Sequence, residues 1–382
     1  MTNRFLSELN DLKTTANYRV LPPDTTRQYI DLSSNDYLGI ASRDDLRHQF
    51  FDNVTPEALS MSSSASRLLL ASQRVYKSFE STLESLYDRP ALMFNSGYHA
   101  NTGIVSAIAD KNTLIIADRL VHASIIDGIV LSKADFTRFR HNDFNHLVAT
   151  VEKNKGKYET MLVIVESVYS MDGDKADIDA LIDIKRSCPE IMLYVDEAHG
   201  FGVEGPSGLG LVAASKAPGE VDIVIGTLGK AAASEGAFCI VDDIVKEYLV
   251  NRSRSLIFST AIAPINVAWS DFIVKKMVEM DSERANLRHL AERLARLIPA
   301  GRPEPSHIRP LVVGDSAKTI LLSDKLKQLG VKALPIRTPT VPPGTERLRF
   351  SLSAALSDAD IDVLETALGQ LSPYLTNRID RP

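Results

Sequence analysis

Short apolar runs that alternate with longer stretches of helical period constrain this chain more than any other feature. Residues 91–94, 113–117, 161–165, 191–195, 222–225 and 237–241 each form such a run. A few consecutive apolar residues bounded by polar turns read as a strand buried on both faces. Strands separated by helix-length segments need crossover connections, so the expected fold is α/β with a largely parallel sheet. Only a short turn precedes 237–241, which makes it the candidate for an antiparallel edge strand. In sheets of this kind ligand groups gather at the carboxyl ends of strands and in the loops that follow. Those ends are where chemistry is to be sought.

Two of them stand out. Tyr194-Val195-Asp196-Glu197-Ala198-His199-Gly200 closes a strand on an acid and places a histidine three residues on, and Gly226-Thr227-Leu228-Gly229-Lys230 puts a lysine in a small-residue turn after the next strand. Taken singly, each has a plainer explanation. A strand ending in Asp-Glu also serves magnesium or ribose, and a glycine-flanked lysine suggests a phosphate loop. The phosphate-loop spacing fails, because Ala231 follows the lysine and no glycine stands at the required upstream position. The order strand, acid, strand, lysine is the layout that holds pyridoxal phosphate. Lys230 would carry the aldehyde as a Schiff base, and Asp196 would sit against the ring nitrogen, each charge favouring the other. His199 could then hydrogen-bond the phenolic oxygen.

Other strand ends supply further candidates. Phe94-Asn95-Ser96-Gly97-Tyr98-His99-Ala100-Asn101 turns from strand into helix, and free N–H groups at a helix start suit a phosphate. His122, in Asp118-Arg119-Leu120-Val121-His122-Ala123-Ser124, could stack on a pyridine face, although a lone histidine is more often structural. Glu166-Ser167-Val168-Tyr169-Ser170-Met171-Asp172-Gly173-Asp174 ends a third strand, with Ser170 placed to contact the ring and a plain Asp-Gly turn as the alternative.

Length and charge frame these motifs. The 382 residues carry a net charge of −6, with 44% hydrophobic and 24% charged residues, as in globular proteins with a large core. An acidic balance argues against nucleic-acid binding, which needs surplus cations on one face. Cys188 and Cys239 are far apart and lack metal-ligand spacing, so neither a disulfide framework nor a zinc site is expected; Cys239 reads as a small core residue, and the setting as reducing and cytoplasmic. Residues 1–13 lack an uninterrupted apolar signal core, and no run reaches the roughly 18 apolar residues needed to span a bilayer. Phe5, Leu6, Leu9 and Leu12 instead mark one face of a short amphipathic helix. Residues 265–298 read as one long charged helix of the kind that links domains, broken by Gly301-Arg302-Pro303-Glu304-Pro305. Beyond it, 308–313, a helical 317–329, 331–336 and 347–352 suggest a small α+β domain. The expected divisions are an N-terminal segment (1–38), a large cofactor-binding domain (39–275) and a small C-terminal domain (276–382).

With these motifs in place, the chain resembles the α-oxoamine synthases, pyridoxal-phosphate enzymes that condense an amino acid with an acyl thioester and release carbon dioxide. The resemblance runs through Ser33-Ser34-Asn35-Asp36-Tyr37-Leu38-Gly39, the 95–101 turn, 118–124, 170–174, 196–200 and 226–231, and Ile336-Arg337-Thr338-Pro339-Thr340-Val341-Pro342-Pro343-Gly344-Thr345-Glu346-Arg347-Leu348-Arg349 narrows it within the family. It implies an aminotransferase-like fold of type I, with a large mostly parallel sheet domain and a smaller α+β C-terminal domain. It also implies catalytic roles for Lys230, Asp196 and His122, with Gly97, Tyr98, Ser170, His199 and Thr227 completing the cofactor site. Thr260, in Phe258-Ser259-Thr260, would reach the phosphate of a neighbouring subunit, which makes a homodimer the working unit. Arg349 would hold the substrate carboxylate, with Asn35, Thr340 and Arg19 lining the same pocket. Members differ in the amino acid and acyl group they take, and a non-catalytic protein on the same scaffold is the alternative against which Lys230, Asp196 and His122 stand. The chain departs from the family where glycines are frequent, at Ala65 within Ser62-Ser63-Ser64-Ala65-Ser66-Arg67, at Ala71-Ser72 and at Ala233. Added Cβ atoms there restrict φ and put the shape of the acyl channel at issue.

Overall fold

The computed structural model describes residues 2–22, 28–299 and 304–375. The chain divides into two compact units, one of 38–170 with 174–284, the other of 1–37 with 171–173 and 285–382. Among the described residues the strands are β1 (Ile30–Leu32), β2 (Ala91–Phe94), β3 (Thr113–Asp118), β4 (Asp135–Phe139), β5 (Thr160–Glu166), β6 (Ile191–Asp196), β7 (Ile223–Thr227), β8 (Ala237–Ile240), β9 (Ile308–Val312), β10 (Val331–Ile336) and β11 (Arg347–Ser351).

The larger unit is built on a seven-stranded sheet in the order β2-β8-β7-β6-β5-β3-β4. The strands from β4 to β7 pair in parallel, whereas β8 is antiparallel to β7 and to β2. The antiparallel strand is therefore internal rather than an edge, because β2 pairs with the side that β7 leaves open. Every residue of β3 and β7 is buried, which is why these strands show in the sequence as unbroken apolar runs. In β4 only Phe139 is buried, and this exposed edge strand carries no run to betray it. Gly226 proves to be part of β7 and not of the turn: a Cβ there would lie 2.1 Å from Cζ of Phe238 on β8, so only glycine leaves room for that ring.

Helices cover the sheet, and their starts are written in the sequence. Ser96 caps Gly97–Ile108, Asp143 caps Phe144–Asn154 and Asp177 caps Ile178–Ser187, each side chain accepting from a backbone N–H two or three residues into the helix. Ile104, Val105, Ile125 and Ile129 pack with Leu92, Ile115, Ile164, Ile225 and Cys239 in one core cluster. Cys239 is a core residue, as expected, and burial pushes its thiol up to about 12.

The smaller unit has a four-stranded sheet, β1-β10-β11-β9, in which β1 is parallel to β10 and the other pairs are antiparallel. The sequence shows three of these strands and not β1, which is three residues long. Helix Thr2–Thr14 forms, and its apolar residues Phe5 and Leu6 stay more than half exposed on the chain. The expected single helix over 265–298 is two, Pro264–Met277 and Asp281–Leu297. Arg284 explains the break: its buried guanidinium donates to the carbonyls of Met277 (2.7 Å) and Val278 (2.9 Å), satisfying the end of the first helix from within the second. Of the interruption expected at 301–305, residues 301–303 lie outside the described residues, and 304–305 are in neither helix nor strand. No helix among the described residues is long and apolar enough to cross a membrane.

Candidate active site

The ends of β5, β6 and β7 lie side by side, with Glu166 in register with Asp196 and Asp196 in register with Ile225. Asp196 is buried and accepts at both oxygens, from the Ala198 N–H at 2.9 Å and from Asn101 Nδ2 at 2.8 Å. The orientation of Asn101 is fixed on its other side, because Tyr194 donates its hydroxyl to Oδ1. The second N–H of the Asn101 amide goes to Ser124 Oγ at 2.9 Å, and that hydroxyl lies 2.8 Å from His122 Nδ1. Since Nδ1 also accepts from the Ser124 N–H at 3.2 Å, it carries no proton in this arrangement. A directed chain of hydrogen bonds thus joins Asp196 to His122 and fixes the tautomer of the ring. Asn101, Ser124 and Tyr194 are all buried. Sequence reasoning gave them no role, although Asn101 sits one helical turn after Gly97 within a motif already singled out.

His122 caps the helix Ala123–Ser132 and is exposed on one side. Desolvation of its ring lowers its pKa below the ordinary histidine value, Lys230 adds to the effect, and Asp196 and Asp127 oppose it. Lys230 is half-buried, in a turn where the Ala233 N–H returns to the Lys230 carbonyl at 2.9 Å. Ala233 itself takes φ +44°, the left-handed region that favours glycine. Among the departures flagged in the sequence, the strain falls there and on Ser64 (φ +51°), and not on Ala65 or Ala71.

Helix Gly97–Ile108 begins beside the end of β7, since a Cβ on Gly97 would be 3.6 Å from Thr227 Oγ1. First-turn N–H groups next to a hydroxyl make an anion site. Tyr98 is half exposed and donates its hydroxyl to Asp127, a bond that raises the phenol's pKa. Asn95 Nδ2 holds the Thr260 carbonyl at 2.6 Å, and Thr260 bridges to Ser66 while remaining exposed. His199 is buried and Ser170 half-buried. Past Ser170, Asp174 is fixed by His141, whose Nε2 is 2.6 Å from Asp174 and Nδ1 2.9 Å from Asp118. Burial opposes a charge on that imidazole, but the two carboxylates overcome it and push its pKa up to about 9.

The four residues expected to bind the substrate belong to the smaller unit. Arg349, buried on β11, donates to Asn35 Oδ1 at 3.2 Å from both terminal nitrogens, to Ser351 Oγ at 2.6 Å and to the Tyr37 hydroxyl at 3.4 Å. Burial pushes the Tyr37 phenol up to about 12, with Arg349 opposing. Arg19 donates to Thr340 Oγ1 at 3.0 Å, so the structure brings these four together as two pairs.

The family model described as aminotransferase class I and II matches residues 27–368. The chain belongs to that family. An 8-amino-7-oxononanoate synthase from Haemophilus ducreyi is 45% identical over 353 residues, covering 90% of this chain and 91% of the relative. Among solved structures, a serine palmitoyltransferase from S. paucimobilis with bound PLP and myriocin matches with TM-score 0.86 and 26% identity over 97% of each chain. An 8-amino-7-oxononanoate synthase from Francisella tularensis matches with TM-score 0.74 and 26% identity, over 90% of this chain and 98% of that one. The fold is that of the type I pyridoxal-phosphate enzymes, and pyridoxal 5'-phosphate is the cofactor of this chain.

The residues present fit that group. A carboxylate held by two N–H donors, a lysine after the adjacent strand and a helix start beside Thr227 are groups that would suit the ring nitrogen, the aldehyde and the phosphate. Glu166 Oε1, buried without a hydrogen-bond partner, completes a site with polar capacity left over.

Proposed function

We propose that this chain catalyses the decarboxylative condensation of L-alanine with a pimeloyl thioester, the reaction of an 8-amino-7-oxononanoate synthase in biotin synthesis. The observation that carries the proposal is the pairing of a buried, doubly hydrogen-bonded Asp196 at the end of β6 with Lys230 after the neighbouring strand β7. It is joined by 45% identity to a relative of that name.

Bound pyridoxal phosphate supplies the electron-withdrawing ring that stabilises a carbanion beside the amino nitrogen. Asp196 would face the ring nitrogen, with Asn101 and the Ala198 N–H preventing it from turning away. His122 would cover one ring face with a neutral imidazole whose tautomer Ser124 sets. The amine of Lys230 would take the amino acid's α-proton at Nζ and later return it. Gly97, Tyr98 and Thr227 would receive the phosphate, and His199 and Ser170 would contact the ring substituents. Arg349, aimed by Asn35, grips the carboxylate of alanine through its planar fork, with Thr340 and Arg19 lining the same pocket.

A homodimer is part of the proposal. Thr260 is exposed, and near it in sequence or bridge partnership lie Leu69 (78% exposed) and Phe258 (71% exposed), apolar surface that a second copy would cover. The acyl carrier is coenzyme A or acyl carrier protein, and a cytoplasmic location follows from such substrates. The test is an assay of carbon dioxide release with alanine or glycine and with the two pimeloyl thioesters in turn. Release with alanine and a pimeloyl thioester is expected. Release of free coenzyme A from glycine and acetyl-CoA without carbon dioxide would instead assign the chain to the 2-amino-3-ketobutyrate ligase type, whose four-carbon product keeps the glycine carboxylate.

A further inference from the structure

Glu166 has no part in the mechanism above, yet it stands in its midst. It is 2% exposed, in register with Asp196 on the adjacent strand, and its Oε1 has no hydrogen-bond partner. Two carboxyl groups at neighbouring strand ends cannot both carry a charge in a buried site without cost, and different surroundings then assign them different forms. The surroundings here differ. Asp196 accepts from two N–H donors at 2.9 Å or less. For Glu166 the facing groups are Asp196 from β6, Lys230 from the turn after β7, the backbone N–H groups of His122 and Ser170, and Tyr169 from the following loop.

We propose that Glu166 is a positioning residue that works in its neutral, proton-bearing form, so that Asp196 alone supplies negative charge at these two strand ends. Burial and the charge of Asp196 drive the acid toward its neutral form against the pull of Lys230, up to about 8. The function of this neutrality lies with Lys230. A second carboxylate beside its amine would hold the ammonium form, whereas the amine must be free to take a proton at each turnover. A neutral acid also has a hydrogen to donate, and its unpartnered oxygen can accept, toward whatever occupies the site.

This inference rests on the cofactor reading above, and its test separates the two. Infrared difference spectra of the holoenzyme between pH 6.5 and 9.5 should show a carboxylic-acid C=O band at the low end that fades as pH rises through about 8. Glu166→Gln, an isosteric and permanently neutral replacement, should lack that band. The variant should also lose the matching inflection from a pH titration of the cofactor's visible absorbance, a change that loss of structural support alone would not produce. A coloured holoenzyme without the band, or a variant that keeps the inflection, would overturn the role of Glu166 and leave the cofactor assignment intact. A protein that takes up no cofactor would overturn both.

Discussion

The Asp196 cluster of the larger unit and the Arg349 cluster of the smaller one are each polar and built around a buried charged side chain, but they are organised on opposite principles. Around Asp196 the groups titrate. His122 is lowered by desolvation, Glu166 is raised to about 8, and Asp196 and Lys230 act on both. Around Arg349 the side-chain oxygens named above belong to an amide and hydroxyls, and the Tyr37 phenol is pushed up to about 12, beyond ordinary working pH. One cluster places protons; the other fixes the direction of a guanidinium. Proton chemistry should therefore respond to pH between 7 and 9, while the grip on the amino acid's carboxylate should not.

The largest expected effect lies on the proton side. Asp196→Asn keeps the shape and removes the charge, and turnover should fall on the order of 10²–10³-fold, as for other preorganised charges, while cofactor is still bound. Turnover within threefold of wild type would show that the charge at β6 is not what separates the clusters.

The His141 clamp adds a stability counterpart. Its folded pKa of about 9 exceeds the ordinary histidine value of 6.5, so its contribution is fully present below pH 6.5 and is lost as pH rises through 9. With its side chain 16% exposed, partial screening leaves roughly 2 kcal/mol. Urea unfolding of His141→Asn should show that deficit at pH 6 and little at pH 10; a deficit independent of pH would mean that the imidazole matters for packing alone.

On the geometric side, Arg349→Lys retains charge and discards the fork. Apparent KM for alanine should rise about tenfold, the equivalent of about 1.4 kcal/mol, at pH 7 and pH 9 alike. An unchanged KM would transfer the carboxylate to Arg19, and a rise at only one pH would break the contrast between the clusters. The smallest effect concerns the turn after Lys230. Ala233→Gly removes a left-handed alanine and should raise stability by about 0.5–1 kcal/mol in thermal unfolding, since glycine holds φ +44° without penalty. A loss of stability would mean that the methyl group's packing outweighs the strain.

Much of this was legible in the chain itself. Buried parallel strands announce themselves because both faces exclude water, so their apolar runs are continuous and Asp196 and Lys230 mark their ends. Residues with distinctive chemistry were equally visible, His122 and Arg349 among them. What escaped was set by register and by neighbours distant in sequence. β4 is an edge strand with one buried residue, and β1 exists only because β10 pairs with it. The role of Asn101 depends on Tyr194, 93 residues away, and on Ser124, so no local pattern encodes it. Glu166 becomes chemically distinct only when β5 is aligned with β6, and the helix expected over 265–298 divides because one arginine turns back on it.

The central claim, that Lys230 carries pyridoxal phosphate at the strand ends of the larger unit, has a direct test. Holoenzyme is reduced with borohydride, digested and mapped by mass spectrometry, with Lys230→Ala treated in parallel. A coloured protein whose visible absorbance is lost on reduction, with a stable adduct on Lys230 and none in the variant, is the predicted result. A protein that stays colourless in excess cofactor, or an adduct on another lysine, would contradict it.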